Sequence, residues 1–91
     1  MSYSVEFTKD ALKEITILKK SEAGAYRKLQ GLLDELSEHP CTGTGKPKPL
    51  GGSRAGQWSR RITDRHRLVY SVDDEKITVL VISALGHYGD K

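Results

Sequence analysis

The run Trp58-Ser59-Arg60-Arg61-Ile62-Thr63-Asp64-Arg65-His66-Arg67-Leu68-Val69-Tyr70 constrains the fold more than any other stretch of this sequence. Two short segments of alternating character flank a polar centre, the pattern of a β-hairpin with unlike faces. Trp58, Ile62, Leu68 and Tyr70 are its apolar contributions to a core. Between them lie four arginines, one histidine and one acid. That is more cationic charge than a turn needs for solubility, and it points to a polyanion as the hairpin's partner. If Trp58 and Ile62 turn toward the core, alternation sends Ser59, Arg61 and Thr63 to the opposite face. Arg67 and His87 are placed to reach that face from neighbouring strands.

The charge is concentrated around this run. Residues 39–72 carry seven Lys/Arg (Lys46, Lys48, Arg54, Arg60, Arg61, Arg65, Arg67) against Asp64, a net of +6, although the whole chain has a formal charge of only +3. Residues 1–38 and 73–91 are each slightly acidic. A basic middle third is the footprint expected for phosphate contact. Lys46, Arg60, Arg61 and Arg65 are the candidate phosphate-binding residues. No aromatics interleave with these cations as a stacking platform would require, so they are expected to grip phosphates rather than read bases.

The rest of the chain supplies the frame. Tyr3, Val5 and Phe7 alternate with Ser4 and Glu6, which predicts a half-buried opening strand. Thr8 stands at an N-cap position with Asp10 in the first turn, and Ala11, Leu12, Ile15 and Leu18 recur at helical spacing. A first helix is expected over Lys9–Lys20. Ser21-Glu22-Ala23-Gly24 reads as a break with a fresh cap, and a second helix runs to Glu38 on a stripe of Tyr26, Leu29, Leu33 and Leu36. Gly31 costs that helix roughly 1 kcal/mol relative to alanine, which suggests close packing there. His39-Pro40 ends the helix.

From His39 to Gly56 the sequence holds five glycines and all three prolines. It is expected to be an irregular connection, stiffened at Lys46-Pro47-Lys48-Pro49. Its glycines do not match a phosphate-cradling P-loop, whose GxxxxGK[ST] spacing is missing. After the hairpin, Asp73-Asp74-Glu75-Lys76 reads as a turn and Ile77–Ile82 as a central strand, apolar on both parities. Leu85-Gly86-His87-Tyr88 closes the structure, and Gly89-Asp90-Lys91 reads as a frayed tail. The order βααβββ defines one α+β domain over residues 1–91. It has two layers, a twisted, mainly antiparallel sheet with a helix hairpin on one face.

Several function classes drop out. No apolar run approaches the roughly 18–20 residues that span a bilayer. The first residues lack the basic and apolar regions of a signal peptide, and a single cysteine, Cys41, fits a reducing cytoplasm. Cys41 reads as an incidental loop residue rather than a nucleophile. His39, His66 and His87 lack a ligand-pair spacing and no thiol or carboxylate cluster accompanies them, so neither a metal nor a cofactor is expected.

Gly45-Lys46-Pro47-Lys48-Pro49-Leu50, Trp58-Ser59-Arg60-Arg61-Ile62-Thr63, His66-Arg67-Leu68-Val69-Tyr70 and His87-Tyr88 resemble the YoeB/Txe toxins of the wider RelE superfamily in order and spacing. The resemblance implies a RelE-like fold and a cytoplasmic, metal-independent mRNA endonuclease that acts on the ribosome, with Lys46, Arg60, Arg61 and Arg65 as its RNA-binding residues. It also implies a YefM-type antitoxin, operator DNA bound only through the antitoxin complex, and room for a homodimer.

Such cleavage uses the ribose 2′-hydroxyl as nucleophile on the adjacent phosphate. It needs a base, a cation for the phosphorane and an acid for the leaving oxygen. In this resemblance Arg67 matches the phosphate-stabilising arginine, His87 the general acid and Tyr88 an aromatic that positions the cut nucleotide. Lys48 stands where the YoeB type carries a glutamate base, which leaves His66 or the nucleotide itself to take the hydroxyl proton. The same fold also serves toxins that act by binding, either blocking ribosomes or inhibiting gyrase as ParE proteins do.

Overall fold

The computed structural model describes residues 3–52, 56–76 and 78–84. The chain runs β1 (Ser4–Phe7), α1 (Lys9–Ser21), α2 (Ala23–Glu38), β2 (Lys48–Pro49), β3 (Gln57–Arg61), β4 (Arg67–Asp73) and β5 (Thr78–Ser83). The five strands form one sheet in the order β1-β5-β4-β3-β2. All neighbours are antiparallel except β1 and β5, which run parallel with Val5 beside Val79 and Phe7 beside Val81. A parallel neighbour requires a crossover, and the two helices between β1 and the rest of the sheet supply it.

Both helices form where periodicity and caps place them. Thr8 Oγ1 accepts from Ala11 N at 3.0 Å and donates to the Ile82 carbonyl at 2.9 Å, so one hydroxyl caps α1 and ties it to β5. At the break, Glu22 is the boundary residue of both helices but gives α2 no side-chain cap. Its carboxylate instead meets His66 Nε2 at 2.8 Å, joining the helix junction to the β3–β4 turn.

Ala11, Leu18, Ala25, Leu29, Leu32 and Leu36 pack against Ile62, Leu68, Tyr70, Val79 and Val81 as the core. The expected stripes are therefore shifted in two places. Leu12 is 53% exposed, and Leu32 rather than Leu33 is the fully buried residue of its turn. Gly31 is exposed, and a Cβ there would meet nothing within 4 Å, so it marks no close helix packing.

The connection before the hairpin also differs from expectation. Lys48 and Pro49 form an edge strand, Lys48 beside Ser59 and Pro49 beside Trp58. Proline lacks an amide donor, and an edge is where a sheet tolerates it. Ile77, expected in the last strand, and the closing residues 85–91 lie outside the described residues.

A candidate anion-binding site on the outer sheet face

Strand pairing places the cationic residues. Ser59 lies between Lys48 and Val69, and Arg61 lies directly opposite Arg67. Directly paired residues share a face, and alternation then puts Ser59, Arg61, Arg67 and Val69 on the side away from the helices. Ile62, Leu68 and Tyr70 occupy the helix side. Like charges opposite each other on antiparallel strands repel, so the Arg61–Arg67 pair is a local cost that a bound anion would relieve.

Arg61 keeps 46% of its side-chain surface exposed, and its closest acid, Asp64, lies at 3.8 Å while itself 95% exposed. Such a pair is heavily screened and contributes little. Lys46 and Lys48 are both exposed. The Arg61 amide donates to the Gly45 carbonyl at 2.7 Å, which brings the Lys46 backbone beside the same end of β3. Lys46 is also the one described non-glycine residue with positive φ, at 52°. Lys46, Lys48, Arg61 and Arg67 thus gather at one corner of the sheet. Arg65 is exposed in the β3–β4 turn beyond them.

Arg60 is a correction to the expected phosphate contacts. Its side chain is 0% exposed, and each of its five guanidinium N–H donors has a partner. Nε donates to Tyr70 Oη at 3.0 Å, and Nη1 to Glu35 Oε1 at 2.8 Å and the Thr44 carbonyl at 3.3 Å. Nη2 donates to the Thr42 carbonyl at 2.7 Å and to the His39 carbonyl. Nothing remains for a phosphate. The alternation that sends Arg61 outward also sends Arg60 inward with Trp58 and Ile62, so the signal stood in the sequence beside the charge count that obscured it.

The surrounding groups respond to this arrangement. Hydrogen bonds from Thr44 and then Arg60 hold the Glu35 carboxyl below the usual carboxylate range. Burial pushes the Tyr70 phenol up despite Arg60, and its hydroxyl donates to the Pro40 carbonyl at 2.6 Å. Desolvation likewise pushes the Cys41 thiol up, away from the thiolate a nucleophile needs.

His66, weighed as a base, is 5% exposed and bonded to Glu22 at the helix junction, the structural placement for that histidine. His87 and Tyr88 lie outside the described residues. Alternation placed Ser59 on the outer face without singling it out; it is 0% exposed there, and its Oγ finds no hydrogen-bond partner among the described residues. Sequence reasoning overlooked Glu35 and Tyr70 as partners of Arg60, which no local pattern could have joined. The described residues include no group of three or more His, Cys, Asp or Glu arranged to hold a metal ion. No helix among them is long and apolar enough to cross a membrane.

Fold and site together define a class: a small α+β domain that concentrates cationic side chains on the sheet face opposite its helices. Comparison with known proteins agrees with that class and narrows it. The chain belongs to the YoeB-like toxins of bacterial type II toxin–antitoxin systems, the family whose model matches residues 7–88. It is 40% identical over 85 residues to Toxin YoeB of Mycobacterium bovis, covering 93% of this chain and 98% of that toxin. A YoeB/ParE toxin from Agrobacterium tumefaciens superposes with a TM-score of 0.87 at 34% identity, covering 93% of this chain and 99% of the other. The YoeB–YefM complex from Staphylococcus aureus contains a chain that matches at 0.81 and 30% identity, with coverage of 94% and 98%.

Proposed function

We propose that this toxin is a metal-independent, ribosome-dependent mRNA endonuclease of the cytoplasm that inhibits translation by 2′-hydroxyl attack on the scissile phosphate. The observation that carries the reading is the direct pairing of Arg61 with Arg67, with Lys48 exposed on the strand at that sheet edge. A cluster of like charge on one face is costly in isolation and favourable around a phosphodiester.

In this reading Arg67 binds two phosphate oxygens through its planar guanidinium, and Lys48 adds a point charge that stabilises the phosphorane. Lys46, Arg61 and Arg65 hold flanking phosphates. His87 protonates the leaving 5′-oxygen, and Tyr88 positions the cut nucleotide. A YefM-type antitoxin covers the cationic corner when the toxin is silent, and the complex of the two meets operator DNA.

Primer extension on transcripts after induced expression tests the proposal. New 5′ ends inside translated messages are expected. Arrest of translation with no new ends would overturn cleavage and leave a toxin that acts by binding, as a ribosome blocker or a ParE-like gyrase inhibitor. Lys48, a cation where the YoeB type has its carboxylate base, is the observation that favours this second reading.

A further inference from the structure

Residues 39–44 form neither helix nor strand, yet they lead directly to Lys46 and Lys48. Their carbonyls are held from the sheet beneath them. Arg60 takes those of His39, Thr42 and Thr44, while Tyr70, which accepts from Arg60 Nε, takes that of Pro40. Glu35 closes the enclosure from α2 by accepting from both Arg60 and the Thr44 amide at 2.8 Å. Arg60 therefore bonds to most of what sets the path of this segment and, being fully buried, is itself out of a ligand's reach. The residue after it, Arg61, belongs to the cationic corner and ties the chain down again three residues before β2 begins, its amide donating to the Gly45 carbonyl.

We propose that Arg60 is the positioning residue of the cationic corner. It fixes His39–Thr44 against the sheet and, through that segment, where Lys46 and Lys48 stand relative to Arg61 and Arg67. The functional half of this inference rests on the RNA-directed reading given above; the structural half does not. A lysine in its place would keep the charge facing Glu35 but lose the fork, since one ammonium with three donors cannot serve five acceptors in a plane.

Two measurements on Arg60→Lys test the inference. In hydrogen exchange, the β4 and β5 amides should stay protected while amides between Thr42 and Lys48 exchange about tenfold faster or more, because their anchor is local. If Arg60→Lys does not fold, Glu35→Gln takes its place, and a smaller rise confined to the same amides is expected. Unchanged exchange across that segment in a folded variant would overturn the proposal.

The second measurement is a double-mutant cycle on the affinity for a short single-stranded RNA. Lys48→Ala should weaken binding about fivefold or more in the parent yet less than about twofold in Arg60→Lys, whereas Arg67→Ala should retain its full effect in both. Equal Lys48→Ala losses in the two backgrounds would show that Arg60 only stabilises the fold. A parent protein with no RNA affinity would sink the RNA-directed reading instead, and the exchange result would still decide whether Arg60 positions the segment.

Discussion

Lys48 stands exposed on an edge strand, with Ser59 opposite it and Arg61 two residues further along β3. A protonated lysine at that place can donate to a phosphate but cannot accept the proton of a 2′-hydroxyl. His66 stands buried at the helix junction with Nε2 2.8 Å from Glu22, so in the proposed reaction the nucleotide itself would take that proton. In the proposed reaction, Lys48→Ala loses one stabilising donor for the phosphorane and should slow cleavage by roughly 10²–10³, the loss typical of one oxyanion donor. Lys48→Glu restores the carboxylate of the YoeB type and should retain or raise the rate, because Pro47 and Pro49 constrain the backbone on either side. Single-turnover cleavage on programmed ribosomes across a pH series reads both variants. A Lys48→Ala rate equal to the parent's at every pH would remove Lys48 from the mechanism and leave the chemistry to Arg67 and His87.

The connecting segment between α2 and β2 behaves as an element in its own right, held by close approach and buried charge rather than by periodic hydrogen bonds. Gly45 has φ +84°, and a Cβ on it would lie 2.9 Å from the Arg61 carbonyl and 3.2 Å from Leu32 Cδ2. Gly45→Ala should therefore destabilise the fold by more than about 1 kcal/mol, while Gly31→Ala, in open space on α2, should stabilise it by about 0.5–1 kcal/mol. Urea melts that moved both variants the same way would contradict this. Glu35 supplies the pH dependence of the segment. Its folded pKa is lowered, so the stability it contributes is present above the ordinary carboxylate range and lost as pH falls through the folded value. The stability difference between parent and Glu35→Gln should accordingly shrink on acidification below about pH 4; a constant difference would mean that Glu35 is not held ionised. The elements with strong periodicity were legible in the sequence: α1 with its Thr8 cap, α2 to Glu38, and the β3–β4 hairpin. This segment was not, because β2 is two residues long and exists only through its pairing with β3. The partners of Arg60 are similarly non-local, Glu35 being 25 residues away and Tyr70 ten.

At the scale of the whole molecule the charge map changes once burial is known. The middle third carries a formal +6, but Glu35 of α2 pairs with Arg60 inside the fold, so that arginine does not act outward. The candidate corner was legible only in part: alternation put Arg61 on the outer face with Arg67 in reach of it, whereas Lys46 and Lys48 join them through a connection read as irregular, and counting alone included Arg60, which points inward. Arg65 adds a further exposed charge from the turn. Such a one-sided face draws an acidic segment by steering as well as by contact, and the steering component is screened by salt within roughly 8–10 Å. An antitoxin with an acidic or amphipathic C-terminal segment is therefore expected to associate with this toxin at a rate that falls as ionic strength rises. Its gene is expected beside the toxin's, and co-expression should restore growth. Charge removal at the exposed positions Lys46→Ala and Arg61→Ala should slow association and flatten its salt dependence, while leaving the Arg60–Glu35 pair intact. Stopped-flow association of the co-purifying antitoxin, measured between low and physiological salt, gives the slope for each variant. A rate that ignores salt and is the same in all three proteins would place the antitoxin's first contact elsewhere on the fold.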